Sequence, residues 1–282
     1  TGTITTSGGA VNLNGQTGDI NIDANVTTGG GTAGIFTATG ASKFDSSGMT
    51  ISTEGSSSTG GAISITTSTG DLSVGAIDSD GNAGDFDVAA GAGGAITLVS
   101  AGVLNLTDVL HARAGSGLST AAGANVSLSG TNGIVVTGSI DVSGGFFFFS
   151  SGAGGNVSFN SDTVLGADVT VSTGSGAGDI TFAGTLDSDS TTRALTLTAG
   201  TGDIDFDGIV GGTAPLGTVT INSVATLTAD KAFKAGSFTQ SAGSAATQFD
   251  GAVTLTGNFG FTGTALTFNA AGNTVGGTMD VT

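Results

Sequence analysis

The sequence predicts an all-β fold, a right-handed parallel β-helix of about ten or eleven three-sided coils. Three observations lead to this prediction. One short phrase recurs along the whole chain, apolar and polar residues alternate within it, and Gly-rich segments separate its copies. A phrase that returns every 20 to 50 residues is typical of solenoids, and strict alternation is typical of strands with one buried side.

Each copy of the phrase has a Gly or Ala, one small or polar residue, and two apolar residues that flank a polar one. Gly61-Ala62-Ile63-Ser64-Ile65 is an example. The first apolar residue of each copy serves as an anchor, and the anchors are spaced by 23 to 33 residues: Val11, Ile35, Ile63, Ile96, Val126, Val157, Ile180, Ile204, Leu227, Val253 and Met279.

Two further short strands are predicted within each coil. After Ile63 and Ile65, the alternation returns at 70–74 and again at 84–88 before the next phrase begins. Residues of one parity then point inward and stack from coil to coil. Successive coils about 4.8 Å apart predict a rod about 50 Å long.

The coils differ in length, and we expect their corners to absorb the difference. The extra residues of the long middle coils fall at 78–83, at 114–117 and around Phe146, so one flank should carry protruding loops. After Phe182 two registers fit the pattern. One uses Leu195/Leu197 and Val219/Ile221, and the other uses Ile204/Phe206 and Leu227.

The charge balance argues against two classes of partner. The chain has 22 acidic and 5 basic residues and a net charge of -17. The basic residues are scattered, whereas binding to nucleic acid or to an anionic membrane needs them clustered. No apolar run approaches the 18 residues of a membrane-spanning helix, so no membrane insertion is expected. Cys is absent, which excludes disulfides and thiolate metal sites.

The repeat resembles the β-helical shaft of filamentous-haemagglutinin-like bacterial exoproteins, which are large exported adhesins. The resemblance rests on the pattern Gly-Gly-x-Val-x-Leu, then Gly-x-Ile-x-Val, then Ile-Asp-x-Ser-Gly-Gly, and its third element stands at 139–145 as Ser-Ile-Asp-Val-Ser-Gly-Gly. Looser copies of the third element lie at 76–81 and 185–189. The chain departs from the family pattern at 146–149, where Phe replaces small residues, and it has no Asn-Pro pair. The resemblance implies a role in adhesion or fibre formation outside the cell or at the cell surface.

An acidic row is the candidate cation site. Asp19, Asp71, Asp179 and Asp203 occupy the same place in the phrase, and Asp205 and Asp207 extend the last copy. Outward carboxylates on neighbouring coils are ligands that suit Ca²⁺, so Asp203, Asp205 and Asp207 form the candidate set. The alternative is that these side chains are solvated and bind no cation. Two carboxylates on neighbouring coils, about 4.8 Å apart in water, repel by only about 1 kcal/mol.

Phe146, Phe147, Phe148 and Phe149 form the candidate interaction site. Four consecutive aromatic residues cannot all face inward, so one or two of them should project as an apolar patch. The alternative is a corner that folds back over its own core. His111 and Arg113 are the one His-Arg pair, and without a second His, a Cys or a Ser-centred motif they favour a surface role over catalysis.

These observations together predict one β-solenoid over residues 1–282, an internal segment of a longer chain or a filament subunit, without catalysis or a cofactor other than Ca²⁺. Expected partners are segments of the same type, end to end or laterally, and a host or cell-surface glycan. A carbohydrate-binding or carbohydrate-cleaving β-helix is the alternative, and it would place Asp beside Arg193 or Lys231 in a cleft. Ice binding is a third, and it needs an aligned two-column Thr face built from the pairs Thr196/Thr198, Thr218/Thr220, Thr226/Thr228 and Thr254/Thr256.

Overall fold

The computed structural model describes residues 2–55, 59–83 and 89–282, and these ranges fold as a parallel β-solenoid. All of their regular structure is β-strand. Within these ranges no helix has the length and apolar character needed to cross a membrane. The solenoid has three faces, which we number in the order in which the chain builds them in each coil.

Face 1 is a sheet of eleven parallel strands, one per coil, which agrees with the predicted number of coils. Its strands are Val11–Asn14, Phe36–Ala41, Ile63–Thr67, Ile96–Ser100, Val126–Gly130, Val157–Phe159, Ile180–Phe182, Ile204–Phe206, Leu227–Ala229, Ala246–Phe249 and Ala265–Phe268.

Faces 2 and 3 belong to one sheet of 19 strands because four strands run through the corner between them. These four are Phe44–Ser52, Leu72–Asp78, Leu216–Ser223 and Phe233–Gln240. Face 2 also contains Ile20–Asn21, Leu104–Leu106, Ile134–Val136, Thr163–Leu165, Leu186–Ser188, Val253–Leu255 and Thr274–Val275. Face 3 also contains Ile4–Thr5, Val26–Thr27, Leu110–His111, Ile140–Asp141, Val169–Ser172, Leu195–Thr198, Phe259–Phe261 and Met279–Val281.

The predicted third strand at 84–88 lies outside the described residues, and the coil is complete without it. Residues 72–74 pair on face 2 with Leu104–Leu106, and 77–78 pair on face 3 with Leu110–His111. A single strand, Leu72–Asp78, therefore supplies two faces where the sequence suggested two separate strands.

The core is the column of inward side chains inside the three faces. Ile65, Leu98, Val157 and Ile204 are fully buried, and about 50 apolar residues form one continuous cluster with them. Complete burial of such a side chain contributes about 1.5–3 kcal/mol, which explains how a chain so rich in Gly remains ordered.

Two kinds of anchor were assigned wrongly from the sequence. Ile35 is 45% exposed, and its neighbour Phe36 is buried and pairs with Val11. Ile35 and Phe36 are both apolar, and the pairing with Val11 shows that Phe36 is the inward residue. Val253 pairs with Phe233 on face 2, and Met279 pairs with Phe259 on face 3.

The last anchors fail because the coils become shorter. The face 1 partner of Leu227 is Thr247, and the partner of Thr247 is Leu266, which are steps of 20 and 19 residues. Both registers considered after Phe182 are inward. Leu195/Leu197 and Val219/Ile221 line face 3, while Ile204/Phe206 and Leu227 line face 1.

The recurring Gly marks the corner before face 1, where neighbouring coils approach closely. A Cβ on Gly178 would lie 2.7 Å from the carbonyl oxygen of Gly155 in the preceding coil. Gly34, Gly61 and Gly94 meet the preceding coil at the same corner in the same way. The phrase therefore keeps Gly for lack of space.

Candidate functional site

At the corner between face 3 and face 1, a hydroxyl group at the end of face 3 bonds to the Gly carbonyl that precedes face 1 in coils whose loops differ in length. In the short version Thr173 Oγ1 donates to the carbonyl of Gly178, five residues on. In the longest version Ser79 Oγ donates to the carbonyl of Gly94, 15 residues on. Loops of variable length can therefore leave the rod without disturbing the strands, as the sequence predicted.

Three long loops at this corner are hydrogen-bonded to one another and form a fin, which we define by its described residues 80–83, 89–93, 113–123 and 143–154. Their outgoing limbs are joined by bonds from Gly81 N to Arg113 O (2.9 Å) and from Ala114 N to Ser143 O (2.9 Å). Their returning limbs are joined in the same way, for example from Gly123 N to Ala153 O at 3.0 Å. The second and third loops contain no charged residue after Arg113.

The tip of the third loop is an antiparallel hairpin of Phe146–Phe147 and Ser150–Ser151. Phe146 is 54% exposed, Phe148 71% and Phe149 100%, so the expected projection of aromatic side chains is confirmed. Phe147 is half-buried and packs edge-to-face on Phe148, with ring centroids 4.5 Å apart. Their role in association stays a prediction.

Two features show that this tip has a defined backbone conformation. Phe148 has a φ of 49°, a left-handed conformation that is uncommon for a bulky side chain and costs about 1–3 kcal/mol. Phe146 N donates to Ser116 Oγ at 3.2 Å, which ties the hairpin to the second loop. Leu118 of that loop is 46% exposed, so it extends the apolar surface of the fin.

An ion pair fastens the base of the fin. Both side-chain oxygens of the buried Asp80 are bound by Arg113: Oδ1 accepts from Arg113 N at 2.7 Å, and Oδ2 accepts from Nη2 at 2.6 Å. Arg113 Nη1 also lies 4.0 Å from Asp141 Oδ2 in the next coil. The guanidinium of Arg113 therefore connects three coils. This structural role could not be predicted from the His111–Arg113 pair in the sequence.

The base of the fin also holds the one group of three metal-ligating side chains within 4.8 Å of one another in the described ranges, Asp78, Asp80 and His111. His111 ends a face 3 strand in register between Asp78 and Asp141. Burial, and next the charge of Asp80, raise the pKa of Asp78. Arg113 already binds both oxygens of Asp80 and neutralises its charge, so this carboxylate is engaged in an ion pair.

Asp203, Asp205 and Asp207 do not form such a group among the described residues. The four aspartates that begin the acidic row are also divided: Asp19 and Asp71 precede face 2 strands, whereas Asp179 and Asp203 precede face 1 strands. Calcium binding at the candidate set stays a prediction.

Some of these side chains have a structural role that was missed from the sequence. Asp179 Oδ1 accepts from Asp203 N at 3.0 Å, and Asp203 Oδ1 accepts from Thr226 N at 2.8 Å. Asn156 and Asn125 accept the same bond one and two coils earlier, respectively. An Asn or Asp directly before the strand in four successive coils is the signal that could have identified this ladder.

Face 1 differs in charge between its two halves. Its outward side chains carry no charge from Val11–Asn14 to Val157–Phe159, which we call the neutral half. Beyond it lies the acidic half, where six aspartates border or occupy the strands: Asp179, Asp203, Asp205, Asp207, Asp230 and Asp250. The pKa of Asp205 is raised, first by burial and then by its acidic neighbours.

Carbohydrate cleavage was expected to use a cleft beside Arg193 or Lys231, and ice binding was expected to use an aligned Thr face. Neither Arg193 nor Lys231 lines the shallow depressions at 2–24, at 130–184 and at 239–282. Arg193 instead pairs with Asp189 at 2.7 Å. The predicted Thr pairs lie on three different faces: Thr196/Thr198 and Thr218/Thr220 on face 3, Thr226/Thr228 on face 1 and Thr254/Thr256 on face 2.

Comparisons with protein-family models, with curated proteins and with solved structures found no match to this chain.

Proposed function

We propose that the chain is a structural and adhesive segment of an extracellular or cell-surface fibre, and that the fin tip makes lateral contacts with segments of the same type. The observation that carries this proposal is the exposure of Phe146, Phe148 and Phe149 at the tip of a loop, residues 143–154, that contains no charged residue. Exposed apolar patches mark interaction sites in soluble proteins.

The charge distribution supports contact at the tip. A rod with a net charge of -17 is repelled by its own copies, so broad side-by-side contact is unfavourable. Because residues 114–123 and 143–154 are uncharged, two rods that meet at these two loops keep their acidic surfaces apart. Aromatic side chains also contribute large contact areas at interfaces.

The test is the double variant Phe146→Ser, Phe149→Ser, compared with Ile209→Ser, which alters an apolar residue 40% exposed outside the fin. In sedimentation velocity and light scattering, the unaltered chain and Ile209→Ser should associate laterally as concentration rises, and the double variant should not. Circular dichroism should be the same for all three. A monomer at every concentration in the unaltered chain, or equal association of the double variant, refutes the proposal.

A further inference from the structure

The neutral half of face 1 is a second exposed surface with a distinct chemistry. Its central outward row contains Thr37, Ser64, Thr97, Ser127 and Ser158, which are in register across five successive coils. The strands are parallel and evenly spaced, so hydroxyl groups repeat about every 4.8 Å along the rod. A regular surface of this kind favours a ligand that is itself a repeat.

Apolar groups lie beside this hydroxyl row. Ile35 is 45% exposed and Val99 is 36% exposed, and the exposed Ala62 and Ala95 continue the row of Ile35 over the next two coils. The surface therefore offers hydroxyl groups for hydrogen bonds next to methyl groups for van der Waals contact. Sugar rings have the matching character, with hydroxyl groups at their edges and C–H groups on their faces.

Charge selects among sugar polymers. A fixed charge buried against an uncharged ligand loses its hydration without compensation, and the neutral half has none. The acidic half continues the same face, and its six aspartates repel a polyanion that follows the rod beyond Ser158. A second copy of the chain would bring the same aspartates with it.

From these observations we infer that the neutral half of face 1 binds an extended, uncharged polysaccharide that lies along the hydroxyl row. The inference is independent of the fin, because the fin residues that carry the proposed lateral contact are not part of face 1.

The experiment is co-sedimentation of the full 282-residue chain with microcrystalline cellulose and with chitin, and with alginate gel as the anionic comparison. The test variant is Thr97→Asp, Ser127→Asp, which places two charges on adjacent coils of the row. The matched control is Thr196→Asp, the same change at an outward position of face 3. Circular dichroism establishes folding, and the single variant Ser64→Asp replaces the double variant if the latter does not fold.

The expected result is binding of the unaltered chain to at least one neutral polymer, weaker binding to alginate, and loss of at least about tenfold in affinity for the test variant. Thr196→Asp and Phe149→Ser should bind like the unaltered chain, which separates this site from the fin. The inference is overturned if the unaltered chain binds neither neutral polymer, or if it binds alginate as strongly as the neutral polymers. It is also overturned if the variant Thr97→Asp, Ser127→Asp binds like the unaltered chain. Inhibition of ice recrystallisation without polysaccharide binding would also overturn it.

Discussion

The coils that carry the fin and the last coils of the rod fill their interiors in different ways. Between residues 61 and 155, every buried apolar residue that the structure describes is aliphatic. Beyond them the core also contains aromatic residues, with stacked pairs Phe159/Phe182 and Phe182/Phe206 at 4.5 and 5.3 Å between ring centroids. The aromatic contacts continue through Phe233, Phe238, Phe249, Phe259 and Phe268.

Coil length does not account for the difference. Neighbouring coils are linked 33 residues apart at Asp80 and Arg113, but only 19 apart at Asp250 and Asn269. The extra residues of the long coils lie in loops that leave the rod, so they add no inward side chains. A protein interior must be filled to crystal-like density, and the two regions reach that end with different side chains.

The largest effect is expected when the inward parity common to both regions is broken. Ile96→Asp places an unpaired charge in the aliphatic column, where Ile96 is fully buried, and should cost at least about 4 kcal/mol of unfolding free energy. Thr97→Asp, one residue later and outward, should change it by no more than about 0.5 kcal/mol. Urea denaturation measures both. Equal losses would show that the inward and outward positions are assigned wrongly.

A smaller effect should distinguish the two cores. Phe206→Leu removes a stacked contact with Phe182 and an edge contact with Phe233, at about 0.5–1.5 kcal/mol each beyond lost area. The reverse change in the aliphatic region, Leu128→Phe, adds volume to a filled layer and should cost about 1–3 kcal/mol. If denaturation finds Leu128→Phe stabilising, the middle coils are underfilled and the comparison fails.

Steric limits at the corners should produce a comparable effect that depends on place. Gly178→Ala brings a Cβ to 2.7 Å from a backbone oxygen and 2.8 Å from Thr173 Cβ, so the coils must shift, at about 1–3 kcal/mol. Gly260→Ala is the control, because the nearest atom is 3.7 Å away and the side chain has space. Thermal unfolding should place Gly260→Ala at or slightly above the unaltered chain.

The sequence was sufficient for the fold because alternation and coil spacing are local signals. Ile63, Ile96 and Val126 were assigned correctly as face 1 anchors, since pairing of equivalent residues keeps the phrase in register. Ile35 could not be separated from Phe36 by pattern, because both are apolar and only their partners on neighbouring strands decide which one points inward.

The surfaces were less predictable because they depend on stacking between loops of unequal length. Phe146 to Phe149 could be singled out as a run, yet the fin that carries them exists only because loops near residues 81, 114 and 143 align across coils. Two other features also require the register between coils to be known. They are the ion pair of Asp80 and Arg113, 33 residues apart, and the hydroxyl row of face 1.

The smallest expected effect concerns pH, and it compares the acidic half of face 1 with the exposed corner near Arg193. Burial and neighbouring carboxylates raise the pKa of Asp205 in the folded state, so the folded chain binds this proton more readily than the unfolded chain. That carboxylate therefore lowers stability at neutral pH, and the loss is recovered as the pH falls through the raised pKa toward the ordinary value of about 4.

Asp189 has the opposite sign, because its hydrogen bond from Arg193 lowers its pKa, and its contribution is lost as the pH falls. Asp205→Asn should raise the urea midpoint at neutral pH and flatten its rise toward pH about 4–5. Asp189→Asn should lower the midpoint at neutral pH, with the difference disappearing in acid. Midpoints measured across this range test both signs, and an unchanged pH profile in Asp205→Asn would contradict the account of the acidic half.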